Sequence, residues 1–315
     1  MIELAAIEAA RDRIAGTAVR TPLMRLPVDD ASAEIYLKLE NLQPINSFKI
    51  RGATNAVLLA EPGERAKGLV TASAGNMAQG VAHAARALGL PATIVVPDSA
   101  PQAKLTAIER LGGIIRKVPY DQWWDVMITS KVEGVDGLFV HPVQDPAVMA
   151  GNGTIGLEIL EDLPDPDVVI TPYGGGGLTV GVASAIKALR PQTAIMTAEP
   201  ASAAGLAAAM AAGEPADADF SPSFVDGAGS RRVLDSMWPL VRPLVDRALV
   251  IEVSEVAGAV RVLAERMRVI AEGAGALAPA AALSGRAGGG KIVCVISGGN
   301  INLSKLAEIL QGADG

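Results

Sequence analysis

Short apolar runs rich in valine and isoleucine alternate with longer alanine-rich stretches along the chain. The runs cover 34–39, 68–71, 92–96, 113–118, 167–171, 193–198, 248–253 and 291–296. Their length and β-branched content predict strands. Between them, 102–111, 153–161, 177–189 and 256–271 carry apolar residues at three- and four-residue spacing and close on Gly, Pro or an acidic turn, as helices do. Further helices are expected at 77–88 and 302–310. Strands alternating with helices imply an α/β fold with a mainly parallel sheet. There is no internal repeat, and the only flexible connection is the glycine-rich stretch 285–290, so any domain boundary must come from topology.

Composition narrows the function. With 315 residues, 50% hydrophobic and 19% charged, the chain can bury a large core in one unit or two closely packed domains. A net charge of −7 leaves no broad basic surface for nucleic-acid phosphates or an anionic membrane face. Neither nucleic acid nor membrane is therefore an expected partner, and small-molecule chemistry is. Gly, Pro or charge interrupts each apolar stretch well before it could span a bilayer, and Glu3 and Glu8 stand where a signal peptide would be basic. A cytoplasmic location is expected, and since nothing follows 302–310, no appended regulatory domain. Cys294 is the single cysteine and reads as an inert core thiol. Only His83 and His141 are present, so a multi-histidine metal site is impossible. Both read as structural or surface histidines.

Four segments carry candidate chemistry. In 39–53 a turn-rich stretch passes into a helix with Lys49 at its start, following Ser47 and Phe48. A helix N-terminus is electropositive and burial disfavours an ammonium, so such an amine loses its proton readily and can form a Schiff base. In 71–80 a strand ends, Ser73, Ala74 and Gly75 turn, and a helix begins at Asn76 and Met77. Free N–H groups there can bind a carboxylate or phosphate, although Ser73 or Asn76 could be a simple N-cap. Gly174, Gly175, Gly176 and Gly177 lie between an apolar strand and a helix, where bare backbone can wrap an anion. A tight packing turn would look the same. Neither the Walker pattern nor the dinucleotide fingerprint is present. Ser297 directly follows the last buried strand, at the sheet edge where ligands bind in open α/β folds.

In this order, and from Arg20-Thr21-Pro22 to Asn300, these segments resemble the fold type II pyridoxal-phosphate enzymes, specifically the threonine/serine dehydratase and serine racemase family. The resemblance implies a tryptophan synthase β-like fold of two open twisted parallel-sheet domains with pyridoxal 5′-phosphate in the cleft. The smaller domain would be 67–145 and the larger one 1–66 with 146–315, closing over substrate; a homodimer is the usual assembly. By similarity, Lys49 carries the cofactor and removes the substrate's α-proton. Asn76 touches the ring hydroxyl, Gly174 to Gly177 hold the phosphate, Ser297 meets the pyridine nitrogen, and Phe48 and Glu272 lie at the ring. The N–H groups of Ser73 to Asn76 would take the substrate carboxylate, with Met77 beside them.

The resemblance implies an ammonia-lyase that converts an L-β-hydroxy amino acid, L-threonine or L-serine, to a 2-oxo acid and ammonia. Met77 replaces the family's usual histidine, and Tyr173 and Val143 also depart from the common pattern; all three could reshape the side-chain pocket. This keeps open phenylserine, 3-hydroxyaspartate or a hydroxyectoine-catabolism substrate. Ala74 stands where racemases of the family carry a second catalytic serine, which disfavours racemisation. Glu199 and Ala203 match a cation site of some members, but its aspartate position is Gly205, so no metal is expected. A non-catalytic ligand-binding protein is the remaining alternative.

Overall fold

The computed structural model describes residues 1–28 and 33–313. Ten strands occur in these residues: β1 Leu23–Arg25, β2 Ala33–Lys38, β3 Leu69–Ala72, β4 Ala92–Pro97, β5 Ile114–Val118, β6 Leu138–Phe139, β7 Val168–Pro172, β8 Ala194–Pro200, β9 Arg247–Ile251 and β10 Gly290–Val295. The helices that accompany them are α1 Leu4–Ile14, α2 Lys49–Leu59, α3 Pro62–Arg65, α4 Asn76–Leu88, α5 Gln102–Arg110, α6 Tyr120–Thr129, α7 Pro146–Asp162, α8 Gly177–Leu189, α9 Gly205–Ala212, α10 Trp238–Val241, α11 Val253–Val262, α12 Gly273–Leu283 and α13 Leu303–Leu310.

The strands form two sheets, one of six strands in the order β1-β2-β10-β7-β8-β9 and one of four in the order β5-β4-β3-β6. Every pairing is parallel except β1 with β2. Parallel sheets are covered on both faces, which is why β3 and β7 are buried at every position and read as continuous apolar runs. In the six-stranded sheet, Ile170, Ile292 and Cys294 face α11 and α12, while Val169, Val293 and Val295 face α7 and α8. Each fully buried valine or isoleucine contributes about 1.5–3 kcal/mol.

Two helix boundaries differ from the periodicity. The helix expected at 153–161 begins at Pro146, where Asp145 caps it by accepting from the Ala147 N–H at 2.8 Å. Gly151 and Gly153 hid its first turns, and the glycines of this interface are there for contact: a Cβ on Gly153 would lie 3.0 Å from the Gly181 carbonyl, one on Gly156 2.9 Å from that of Val182, and one on Gly181 2.3 Å from that of Met149. This close approach locks α7 onto α8. The helix expected at 256–271 is α11, which starts at Val253 behind a Glu252/Glu255 capping box and gives way to a π turn at Leu263–Met267. Arg268, at φ 57°, turns the chain away. Helix α12 escaped the pattern because it is small-residue and buried on nearly every side, leaving no polar face to set a period.

Candidate active site

The sheet topology brings distant segments together. Strand β10 pairs with β2 on one side and β7 on the other, placing Val295 opposite Lys38 and Cys294 opposite Ile170. Chain leaving the carboxyl ends of these three strands therefore converges: the Ser47-Phe48-Lys49 turn after β2, the glycines after β7 and Ser297 after β10. The Phe48 N–H donates to the Ser297 carbonyl at 3.0 Å, and Ser47 bridges to Gly298. The turn after β3 comes in from the smaller sheet. Between them lies a cavity of about 350 Å³ lined by Phe48, Lys49, Ser73, Asn76, Met77, Gly174, Gly175, Gly176, Gly177, Glu272 and Ser297. Ala74 and Gly75 are not on its wall.

Lys49 opens α2, and its Nζ donates to the Pro142 carbonyl at 3.0 Å, 5.1 Å from the centre of the Phe48 ring. Burial without a carboxylate partner lowers its pKa from 10.5 to about 8. Below the lysine, a buried ionic cluster fixes the first turn of α2. Arg51, 1% exposed, bonds Glu40 at 2.8 Å and Glu158 at 2.7 Å, and Lys38 reaches Glu158 at 2.5 Å. Two cations meet two carboxylates, so the cluster is neutral. Thr21 and Thr154 complete its hydrogen bonds, as burial of charge demands.

The glycine turn is an anion cradle. Gly176 has φ +96° and stands at the N-cap of the 13-residue α8. Among the described residues the N–H groups of Gly174 to Leu178 have no protein partner, the condition under which a helix start holds a phosphate. A Cβ on Gly175 would lie 2.4 Å from Val143 Cγ2, so the backbone there must be bare. Val143 thus shapes the cradle. Tyr173 lies beneath it, 1% exposed and packed near Gly176, off the cavity wall. Of the three departures from the common pattern, Met77 and Val143 line the cavity and Tyr173 does not.

At the start of α4 the expected carboxylate cradle needs correction. The Ser73 N–H donates to the Val95 carbonyl at 3.1 Å and that of Gly75 to the Ser73 hydroxyl at 3.2 Å. The unpartnered N–H groups, among the described residues, are those of Ala74, Asn76, Met77 and Ala78. Asn76 donates through Nδ2 to Glu272 Oε1 at 2.7 Å. Burial, the largest influence on Glu272, raises its pKa to about 7.

Several lining residues gave no clear signal in the sequence. Trp123 and Met127 project from α6, one helical turn apart, and Asp226 to Gly229 form a loop across the cradle. The Asp-Gly-Ala-Gly composition of that loop was its one available sign. His141 is structural: Nδ1 accepts from the N–H groups of Val143 and Gln144 at 3.0 and 2.9 Å, which leaves Nε2 to donate to the Met127 carbonyl. It shapes the turn that offers Pro142 to Lys49. Glu199 accepts from the Leu206 and Ala207 N–H groups at 2.9 and 2.8 Å, its carboxylate spent on capping α9. Cys294 is fully buried, and burial raises its pKa.

These residues fit pyridoxal phosphate: a partly desolvated lysine, an anion cradle that tolerates no Cβ at Gly175, and a hydroxyl at Ser297 share one cavity. Comparison with known proteins agrees. The family described as pyridoxal-phosphate dependent enzyme matches residues 14–298. The L-threonine ammonia-lyase of Thermotoga maritima is 41% identical over 99% of this chain and 79% of its own length. Maize serine racemase superimposes with a TM-score of 0.90 at 34% identity, over 98% of this chain and 97% of its own. The threonine deaminase of T.th. gives 0.88 at 34% identity, over 95% and 99%. On the residues at the site, the fold and this extent of similarity, the chain belongs to the pyridoxal-phosphate dependent enzymes of fold type II, among the threonine/serine dehydratases.

Proposed function

We propose that this protein is an ammonia-lyase converting L-threonine and L-serine to the corresponding 2-oxo acids and ammonia. The observation that carries this is a lysine with pKa lowered to about 8, on the same cavity as the glycine cradle. Bound pyridoxal phosphate supplies the electron sink that makes the substrate's α-proton acidic. Gly174 to Gly177 would hold its phosphate, Ser297 its ring nitrogen, Asn76 its ring oxygen, with Phe48 and Glu272 alongside. Lys49 Nζ takes the proton from the substrate α-carbon. The free N–H groups of Asn76 and Met77, both on the cavity wall, bind the substrate carboxylate. Ser297 is a neutral hydroxyl that does not enforce a protonated ring, which suits elimination, where charge leaves with the β-substituent. Ala74 offers no second acid for racemisation.

Among the described lining residues Lys49 is the one cationic side chain, while Asp226 and Glu272 are acidic. A 3-hydroxyaspartate side chain would bring a second carboxylate with no counter-ion. Met77, Trp123 and Met127 instead present apolar surface, which suits the methyl group of threonine.

The strands of the smaller sheet, Leu69 to Phe139, all fall within 67–145. This supports 67–145 as a domain that closes over the substrate against 1–66 and 146–315. Among the described residues no helix is long and apolar enough to cross a membrane. A homodimer in the cytoplasm is the proposed working state, and sedimentation of purified protein as single chains would remove the first part of it.

The experiment is ammonia and 2-oxo-acid release from L-threonine, L-serine, 3-hydroxyaspartate and phenylserine, by the wild-type enzyme and Lys49→Ala. Turnover of threonine and serine, lost in the variant, is expected. Cofactor-loaded protein that yields only the D-enantiomer without ammonia would select racemisation.

A further inference from the structure

The side chain of Asn76 is held at both ends. Its Nδ2 donates to Glu272 Oε1 at 2.7 Å, and its Oδ1 accepts from Asn300 Nδ2 at 2.7 Å. Asn300 Nδ2 also donates to the Ile45 carbonyl at 2.9 Å, and Asn300 Oδ1 accepts from Asn46 Nδ2 at 3.3 Å. Three elements of the larger sheet's layers supply these partners: the turn after β2, the residue before α12 and the loop after β10. Asn76 heads α4, which packs on the smaller sheet.

The direction of the chain follows from what each group can do. A backbone carbonyl only accepts, so Ile45 fixes Asn300 with Nδ2 inward. That nitrogen can then only meet the oxygen of Asn76, which turns Asn76 Nδ2 toward the Glu272 carboxylate, itself an acceptor. Donation therefore runs in one sense, from Asn46 through Asn300 and Asn76 to Glu272. Flipping Asn76 would set its NH₂ against that of Asn300 and its oxygen against the carboxylate. Glu272 is held in turn: its N–H donates to the Gly298 carbonyl at 3.0 Å, and its carboxylate lies where a Cβ on Gly298 would sit, 2.4 Å away. One hydrogen on Asn76 Nδ2 is left over, on a residue that lines the cavity.

We propose that Asn300 and Glu272 are positioning residues that set the orientation of the Asn76 amide, so that its remaining N–H is presented to the cofactor's ring oxygen. The proposal rests on the assignment of Asn76 to that oxygen. Neither residue needs to touch substrate to act. Because the relay joins α4 to the larger sheet's loops, it also aligns the two layers at the ring.

The test uses reversal of polarity. Asn300→Asp removes the donors to Asn76 and Ile45 and invites Asn76 to turn round, which faces its oxygen to Glu272. The dissociation constant for pyridoxal 5′-phosphate should rise about tenfold, the value of one lost hydrogen bond, and the absorbance maximum of the bound cofactor should shift. Adding Glu272→Gln supplies a donor for the reversed Asn76 and rebuilds the chain in the opposite sense. The double variant should recover part of the melting temperature lost in Asn300→Asp, the Ile45 carbonyl still lacking its donor, but neither the affinity nor the absorbance maximum, because the free N–H now points elsewhere. Recovery of affinity along with stability, recovery of neither, or an Asn300→Asp protein with wild-type affinity and spectrum each overturns the proposal. Asn76→Ala separates the two levels: if it leaves affinity and spectrum unchanged, the assignment of Asn76 itself is what fails.

Discussion

Lys49 Nζ donates to the carbonyl of Pro142, 3.0 Å away and 93 positions further along the chain. This contact joins the head of α2 to the turn that His141 organises, and it gives the ammonium a single neutral acceptor in place of a carboxylate. A lone carbonyl compensates desolvation poorly, and the pKa falls to about 8.

That value sets a pH dependence. In the cofactor-free protein the folded lysine titrates near 8 and the unfolded one near 10.5. Between these pH values the unfolded chain binds more protons, so this group makes stability rise with pH across the window and leaves its full penalty in place below 8. The rate of cofactor capture should climb about tenfold per pH unit up to this pKa and level off above it. Stopped-flow absorbance on added pyridoxal phosphate checks this; a rise continuing to pH 10 would place the amine in an ordinary environment.

Arg51→Met leaves Glu40 and part of Glu158 buried without their guanidinium. A loss of about 3–5 kcal/mol in unfolding free energy is expected, since an unpaired buried charge is costly. Urea denaturation measures it. Because Arg51 lies two residues from Lys49 in the first turn of α2, cofactor affinity should fall with it.

Gly175→Ala drives a Cβ to 2.4 Å from Val143 Cγ2. Cofactor affinity should drop at least about tenfold as the cradle distorts. Val143→Ala removes the obstructing methyl groups, and the double variant should recover most of the loss. Fluorescence titration of both proteins decides whether the clash or some other demand for glycine governs the position.

Trp123→Ala opens the apolar wall next to Met127. The ratio of kcat/KM for L-threonine over L-serine should fall by about threefold to tenfold, the worth of one methyl contact, with serine turnover little changed. Equal losses on both substrates would make Trp123 a structural residue only.

Glu199→Gln tests the capping role. Burial raises this carboxyl to about 7 from 4.5, so its charge penalises the fold increasingly as pH rises through that window. The variant should show a flatter stability profile between pH 5 and pH 7, read as melting temperature.

Much of the site was legible because its chemistry needs local motifs. Lys49 at a helix start, four consecutive glycines after a strand and a serine after the last strand each announce themselves within a few residues. The alternation of apolar runs and amphipathic stretches likewise determined the α/β class and eight of the ten strands. Strands β1 and β6, three and two residues long, are too short for any pattern to register.

What only the tertiary structure decided was pairing between segments remote in sequence. Strand order put Ser297 beside Phe48. Packing against α6 and the 226–229 loop closed the cavity with residues whose own neighbourhoods carry no signal. The family resemblance also implied that the amides of 73–76 take a carboxylate, whereas the fold commits that of Ser73 to Val95. Local order lists the groups available; hydrogen-bond competition and desolvation, which depend on every neighbour in space, decide which remain free to act.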